Sequence, residues 1–168
     1  MTIFRKMLYC HGAVKATDAI ERRTMKTGHT ATTSDLGALP ARLKAHGLRP
    51  TRQRLSLARL MFASGDRHLS AESLHAEAQA EGVAVSLATV YNTLNQFTAA
   101  GLLREVAIEG HKAYFDTNTS NHFHYYLEPE GRLVDIPSAD VEVLGLPEAP
   151  DGTVVSRIDV IVRLVRTR

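Results

Sequence analysis

Residues 86–97 read SLATVYNTLNQF, a helix-length stretch without one charged side chain. Leu87, Val90, Leu94 and Phe97 recur at helical spacing, so one face is apolar and is expected to pack inward. The rest of the circumference carries Thr89, Tyr91, Asn92, Asn95 and Gln96, all short hydrogen-bonding groups. In a chain with 23% charged residues, an ordinary surface helix would carry several Lys or Glu there. Two readings are open: a helix buried on both sides, or one laid against base edges in a DNA major groove. In that groove amides pair with adenine and apolar groups touch the thymine methyl. The flanking sequence favours DNA.

Upstream, Leu39 to His46 forms a first short helix that stops at Gly47. Pro50 opens a second, Thr51 to Ala63, with Leu57, Leu60 and Met61 clustered inward. Ser70 is the N-cap of a third helix reaching about Gln79, with Glu72 well placed in its first turn. Gly82 breaks that helix and Ser86 caps the charge-free one. After Gly101 the period changes to two: Leu103–Ile108 and Ala113–Asp116 read as strands of a hairpin around Glu109-Gly110. Helices followed by a two-stranded ribbon make a winged helix-turn-helix over residues 37–118, with 86–97 as recognition helix and 103–116 as wing.

Net charge is only +2, but its distribution is uneven. Between Arg42 and Arg59 stand six basic residues (Arg42, Lys44, Arg49, Arg52, Arg54, Arg59) and no acid. From Thr119 onward acids outnumber bases eight to five. This division fits one domain on phosphate and another with a different task; a solvated basic helix face is the plainer reading. Arg49, Arg52 and Arg54 would sit near the DNA backbone, adding affinity without reading sequence.

Residues 119–168 read as a small α/β domain: a strand His122–Leu127, a turn at Glu128–Gly131, a returning strand Arg132–Ile136, a helical piece Ala139–Leu144 and a final strand Val154–Val165. The unit is slight for independent stability, so a homodimer is expected. The overall class is α+β. Residues 1–36 read as a flexible N-terminal arm, although their basic, Thr-containing composition also resembles an organellar transit peptide. A start upstream of the true one is a third reading, since Met25 precedes the ordered part. No run approaches the ~18 apolar residues of a membrane span, so a cytoplasmic protein is expected.

The one cysteine, Cys10, excludes an internal disulfide and a Cys-based zinc finger. A metal site must therefore use His, Asp and Glu. His122 and His124 flank Phe123 on a predicted strand, whose alternation turns both imidazoles to one face. His68, Glu109 and Asp135 are the further candidates, although spacing alone does not bring the five together. Imidazoles with one or two carboxylates suit a divalent ion such as zinc, iron or manganese. Haem iron, which accepts axial histidine, is also chemically suitable for His122 and His124.

GLRPTRQR (47–54), RHLSAE (67–72), VSLATVYNTLNQF (85–97), AGLL (100–103), KAYFDTN (112–118), HYYLE (124–128), LVDI (133–136) and RIDVIVRL (157–164) resemble the ferric uptake regulator (Fur) superfamily of bacterial winged-helix repressors. Within it the chain resembles the iron response regulator (Irr) branch of the alpha-proteobacteria. The likeness implies a regulatory metal site at His68, Glu109, His122 and His124 with Asp135 nearby. A second family site would fall on Asn121, Phe123, Glu142 and Arg157, and the structural zinc positions on Leu127 and Glu130, so neither ion is expected. The Irr branch responds to haem, and its His-rich segment corresponds to residues 121–124.

These readings combine into a homodimeric transcription regulator of iron homeostasis and haem biosynthesis, active when iron is scarce and inactivated by haem. It would bind an AT-rich, roughly palindromic DNA element through Ser86, Thr89, Tyr91 and Asn92. A Fur-type repressor responding to Fe, Mn or Zn at the same residues is the alternative within regulation. A metalloenzyme is the alternative outside it, but no nucleophile motif, phosphate loop or HExxH supports one.

Overall fold

The computed structural model describes residues 37–108 and 113–167. The arm expected over 1–36 and the wing tip, with Glu109, lie outside the described residues. Four α-helices, α1 (Leu39–Ala45), α2 (Arg52–Phe62), α3 (Ala71–Ala80) and α4 (Leu87–Ala99), occur among them. β1 (His68–Leu69), β2 (Arg104–Val106) and β3 (Tyr114–Asp116) form one sheet in the order β1-β3-β2. β4 (His122–Leu127), β5 (Arg132–Pro137) and β6 (Ile161–Leu164) form a second in the order β5-β4-β6.

The helix starts follow from their caps. Thr51 accepts the Arg54 amide, Ser70 the Ser73 amide and Ser86 the Thr89 amide, each satisfying one donor that an α-helix leaves open. Ser73 Oγ in turn accepts the Ser70 amide, closing a capping box. At the far end of α4, Gly101 takes φ 73°, a left-handed turn that lets the chain leave the helix and enter β2 three residues later.

The charge-free helix packs largely as its pattern predicts. Val90, Leu94 and Phe97 are fully buried in a core shared with α1, α2, α3 and Phe115 of β3. Leu87 departs from the expectation: it is 37% exposed, because the first turn of α4 overshoots that core. Thr93 takes an inward place instead, its hydroxyl donating to the Thr89 carbonyl at 2.8 Å, so its burial strands no polar group.

The wing strands are shorter than expected and gain a partner that sequence reading missed. His68-Leu69 pairs antiparallel with β3, setting His68 opposite Asp116. Two residues carry no periodicity, which is why the strand was illegible. In the C-terminal part, β4 and β5 match the expected hairpin, with Gly131 at φ 57° closing its turn. The helix expected over Ala139–Leu144 is replaced by a 3₁₀ turn, Ser138–Asp140, after which Val141 is extended. Six residues cannot repay helix nucleation, and the branched Val141 and Val143 disfavour it further. The strand expected over Val154–Val165 is paired only at Ile161–Leu164, parallel to β4. β-branched residues make a strand only where a neighbour supplies hydrogen bonds.

A smaller apolar cluster joins the two sheets: Val106 and Ile108 pack with Tyr126 and Leu133, with Tyr114 and Ile161 against them. The two sheets therefore share an apolar seam.

Phe97→Ala should destabilise the protein by about 3–5 kcal/mol, whereas Leu87→Ala should cost about 0.5 kcal/mol or less. Urea unfolding of both variants measures this; equal losses would contradict the packing described.

A candidate metal centre between two sheets

The seam carries a polar cluster beside its apolar one. Register places His68 opposite Asp116 in the first sheet, and His124 opposite Asp135 in the second. His122 lies two residues before His124, on the same face of β4. One atom from each of His68, Asp116, His122, His124 and Asp135 lies within 4.8 Å of all the others. His122 and His124 are 5% and 1% exposed and Asp116 is fully buried.

The distances describe a cage. His122 Nε2 stands 2.9 Å from Asp116 Oδ2 and 3.0 Å from His124 Nε2. His68 Nε2 stands 3.0 Å from Asp135 Oδ1 and 3.7 Å from Asp116 Oδ2. His124 Nε2 is 3.4 Å from Asp116 Oδ2 and 3.9 Å from Asp135 Oδ1. Ligands bound tetrahedrally at 2.0–2.1 Å stand about 3.3 Å apart, so these edges suit a single small ion. His68 Nε2, Asp116 Oδ2 and Asp135 Oδ1 are buried yet make no aligned hydrogen bond with a neighbour. They aim at a shared centre rather than at one another.

Outer contacts fix which atoms face that centre. His122 Nδ1 donates to the Ser120 carbonyl at 2.9 Å, so Nε2 is the ring nitrogen that faces the cage. Asp116 Oδ1 accepts the Asn118 amide at 2.8 Å, which leaves Oδ2 for the cage. Asn118 Oδ1 in turn accepts from the Ser120 amide and hydroxyl at 3.1 and 2.6 Å. A carboxylate buried among three imidazoles needs positive charge beside it, which a proton on a ring nitrogen or a metal cation supplies. A divalent ion with nitrogen and oxygen ligands meets that demand.

Residues 45–153 match the model of the ferric uptake regulator family. The chain belongs to that family. It is 39% identical over 104 residues to the ferric uptake regulation protein of Cupriavidus metallidurans, an overlap of 61% of this chain and 73% of that one. Its fold is similar to the Vibrio cholerae ferric uptake regulator, with a TM-score of 0.61 at 23% identity over 76% of this chain and 99% of that one. It is likewise similar to the manganese-containing regulator of Pseudomonas aeruginosa, with a TM-score of 0.59 at 24% identity over 76% and 97%.

Of the metal candidates read from this Fur-family sequence, His68, His122, His124 and Asp135 converge, and Glu109 lies outside the described residues. Asp116 is the donor the sequence reading missed. It ends the KAYFDTN stretch's strand, and its role depends on the β1–β3 pairing that was itself invisible. Burial works against the Asp135 carboxylate, but the hydrogen bond from His68 beside it holds its pKa below the usual value.

The residues expected to meet DNA make distinct local contacts. Asn92, Asn95 and Gln96 are exposed on α4, as are Arg49 and Arg52 before and at the start of α2. Arg54 is a strut: its Nε and Nη2 donate to Gln96 Oε1 at 3.2 and 2.5 Å, and its Nη1 to the Arg49 carbonyl at 2.8 Å. Tyr91 donates to Glu72 Oε1 at 2.7 Å, and this bond pushes its phenol above the ordinary pKa. Ser86 Oγ is taken up in capping α4 and lies 2.9 Å from the Thr89 hydroxyl. Arg42, from the basic block, stacks over the Phe62 ring at 4.2 Å. No helix among the described residues is long and apolar enough to cross a membrane.

Asp159, just before β6, is opposed by burial but held below the usual carboxylate pKa by Arg157 and Arg104. A depressed folded pKa gives stability that is complete above the unfolded value, about 3.9, and fades as pH falls through the folded one. Asp159→Asn should therefore be less stable than the parent at neutral pH, and the gap should close in acid. Urea midpoints of the metal-free proteins across that range test this, and a gap independent of pH would refute it.

Zinc at a hundredfold excess over its dissociation constant should stabilise the parent by about 2.7 kcal/mol. Asp116→Asn should lose most of this gain in a thermal-unfolding titration; a full gain in the variant would exclude Asp116 as a ligand.

Proposed function

We propose that the chain is a homodimeric transcription regulator whose grip on DNA depends on a divalent ion at His68, Asp116, His122, His124 and Asp135. The observation that carries this reading is the convergence of five donor atoms within 4.8 Å at the seam. The cage joins two sheets: His68 and Asp116 come from the helix-bearing part, and His122, His124 and Asp135 from the C-terminal hairpin. An ion bound to all five favours one relation between the two parts, and binding differentially to that state is what shifts a population.

The DNA-facing element is α4, whose exposed Asn92 and neighbouring Thr89 and Tyr91 are suited to reading bases. Arg49 and Arg52 are suited to phosphate. Residues 37–118 would form the DNA-binding domain and 119–168 the dimerisation domain. Leu144, Leu146, Val154 and Val155 leave large apolar surfaces exposed in that second part, which fits burial against a second copy.

The Irr-type reading places haem on His122 and His124, and the histidine pair at 122–124 is what favours it. A porphyrin iron would have to part the seam to reach either Nε2, and its ring would displace Asp116 and Asp135. A bare ion needs neither change, so it is the reading the site supports best. Iron homeostasis is the regulatory field that the likeness to ferric uptake regulators suggests, with the response set by the ion.

Duplexes selected from a random pool in the presence of manganese separate the two. Chelator should abolish binding and haem should not restore it; release by haem with indifference to chelator would overturn the ion reading. On the selected duplex Asn92→Ala should cost about 1–3 kcal/mol, with little change on random DNA.

A further inference from the structure

The described residues contain one buried guanidinium, and it lies directly behind the ion cage. Arg104 is 6% exposed and sits on β2 opposite Asp116, the most buried of the cage carboxylates. Its Nη1 donates to the Ser120 carbonyl at 3.3 Å and to the His122 carbonyl at 3.2 Å. Its Nη2 pairs with Asp159, which also accepts from Arg157 Nε at 2.8 Å. Arg104 Nε is buried without a hydrogen-bond partner. Burying a guanidinium in this way is costly, and an apolar side chain of the same volume often serves stability as well. Its specific return lies in geometry.

The Ser120 carbonyl is the acceptor that fixes the tautomer of His122, and Arg104 holds the same oxygen from the other side. Arg104 also grips the main chain of His122 itself. Asp116, Asn118, Ser120 and His122 are linked stepwise through alternate residues, so the turn between two cage ligands has little freedom once Arg104 closes it. On its own strand Arg104 follows Leu102 and Leu103, whose amides bond the Phe97 carbonyl of α4 at 2.9 and 3.4 Å.

Resting on the reading of the cage as an ion site, the geometry points to Arg104 as its positioning residue. From outside the cage it holds His122 Nε2 and Asp116 Oδ2 at ion-binding separation, and it ties that arrangement to the end of α4. It touches no ion itself. Lysine offers one ammonium in place of the fork and cannot span two carbonyls and a carboxylate together.

Titration of the metal-free full-length chain with cobalt(II), followed by its ligand-field absorption, tests this without DNA. Loss of an outer contact lowers metal affinity by about 10- to 100-fold, so Arg104→Lys should weaken cobalt binding at least tenfold and alter the band shape. Tyr114→Phe is the control: it removes another bond between the two sheets, Tyr114 Oη to the Gly131 carbonyl at 2.6 Å, and should leave both readouts as in the parent. Thermal unfolding confirms that each variant is folded, with Asp159→Asn, which frees the fork from its anion, standing in should Arg104→Lys not fold. Parental cobalt affinity and spectrum in the Arg104 variant would overturn the proposal, as would an equal loss in Tyr114→Phe. A parent that takes up no cobalt would remove the cage reading first, while a cobalt-loaded parent indifferent to DNA would remove only the regulatory one.

Discussion

An imidazole nitrogen and a carboxylate oxygen, buried 2.9 Å apart, set the terms for this structure. Neither His122 nor Asp116 can turn away, because Ser120 holds one ring nitrogen and Asn118 holds the other carboxylate oxygen. Buried in this way, the carboxylate calls for positive charge beside it. Around that pair the seam brings His68, His124 and Asp135, so that a cation entering the cage is met from both sheets. The rest of the seam, with Tyr126 and Leu133 packed on Val106 and Ile108, holds the two sheets together beside the cage.

The helical part supplies rigidity to a surface whose side chains are uncharged. α4 is anchored by Val90, Leu94 and Phe97 in one core with α1, α2 and α3, which leaves its opposite side free to carry amides. Arg54 and Glu72 then hold Gln96 and Tyr91 in place from neighbouring helices. Such struts reduce the side-chain freedom that docking would otherwise have to remove. Part of the basic block thus organises the surface, while Arg49 and Arg52 stay exposed on it.

Legibility followed the range of the interactions. The caps at Ser70 and Ser86 were readable because a cap bonds an amide three residues away. The His122–Leu127 strand was readable because its alternation is complete within six residues. Leu87 misled because periodicity gives a direction on the helix, not the length of the core below it. The 139–144 segment and the final strand misled because their states depend on neighbours, and valine-rich stretches accept whatever pairing they find.

The sequence by itself determined the helical face of α4, the hairpin at 122–137, the His122–His124 pair and membership signals spread along most of the folded length. Tertiary structure decided which carboxylates join that pair. His68 and Asp116 are far apart in the chain and become neighbours only through the β1–β3 ladder. Asp135 reaches them because β5 pairs with β4 in one register and no other. Such a set of donors is a matter of ångströms between side chains from four strands, and local propensity carries no information about that spacing.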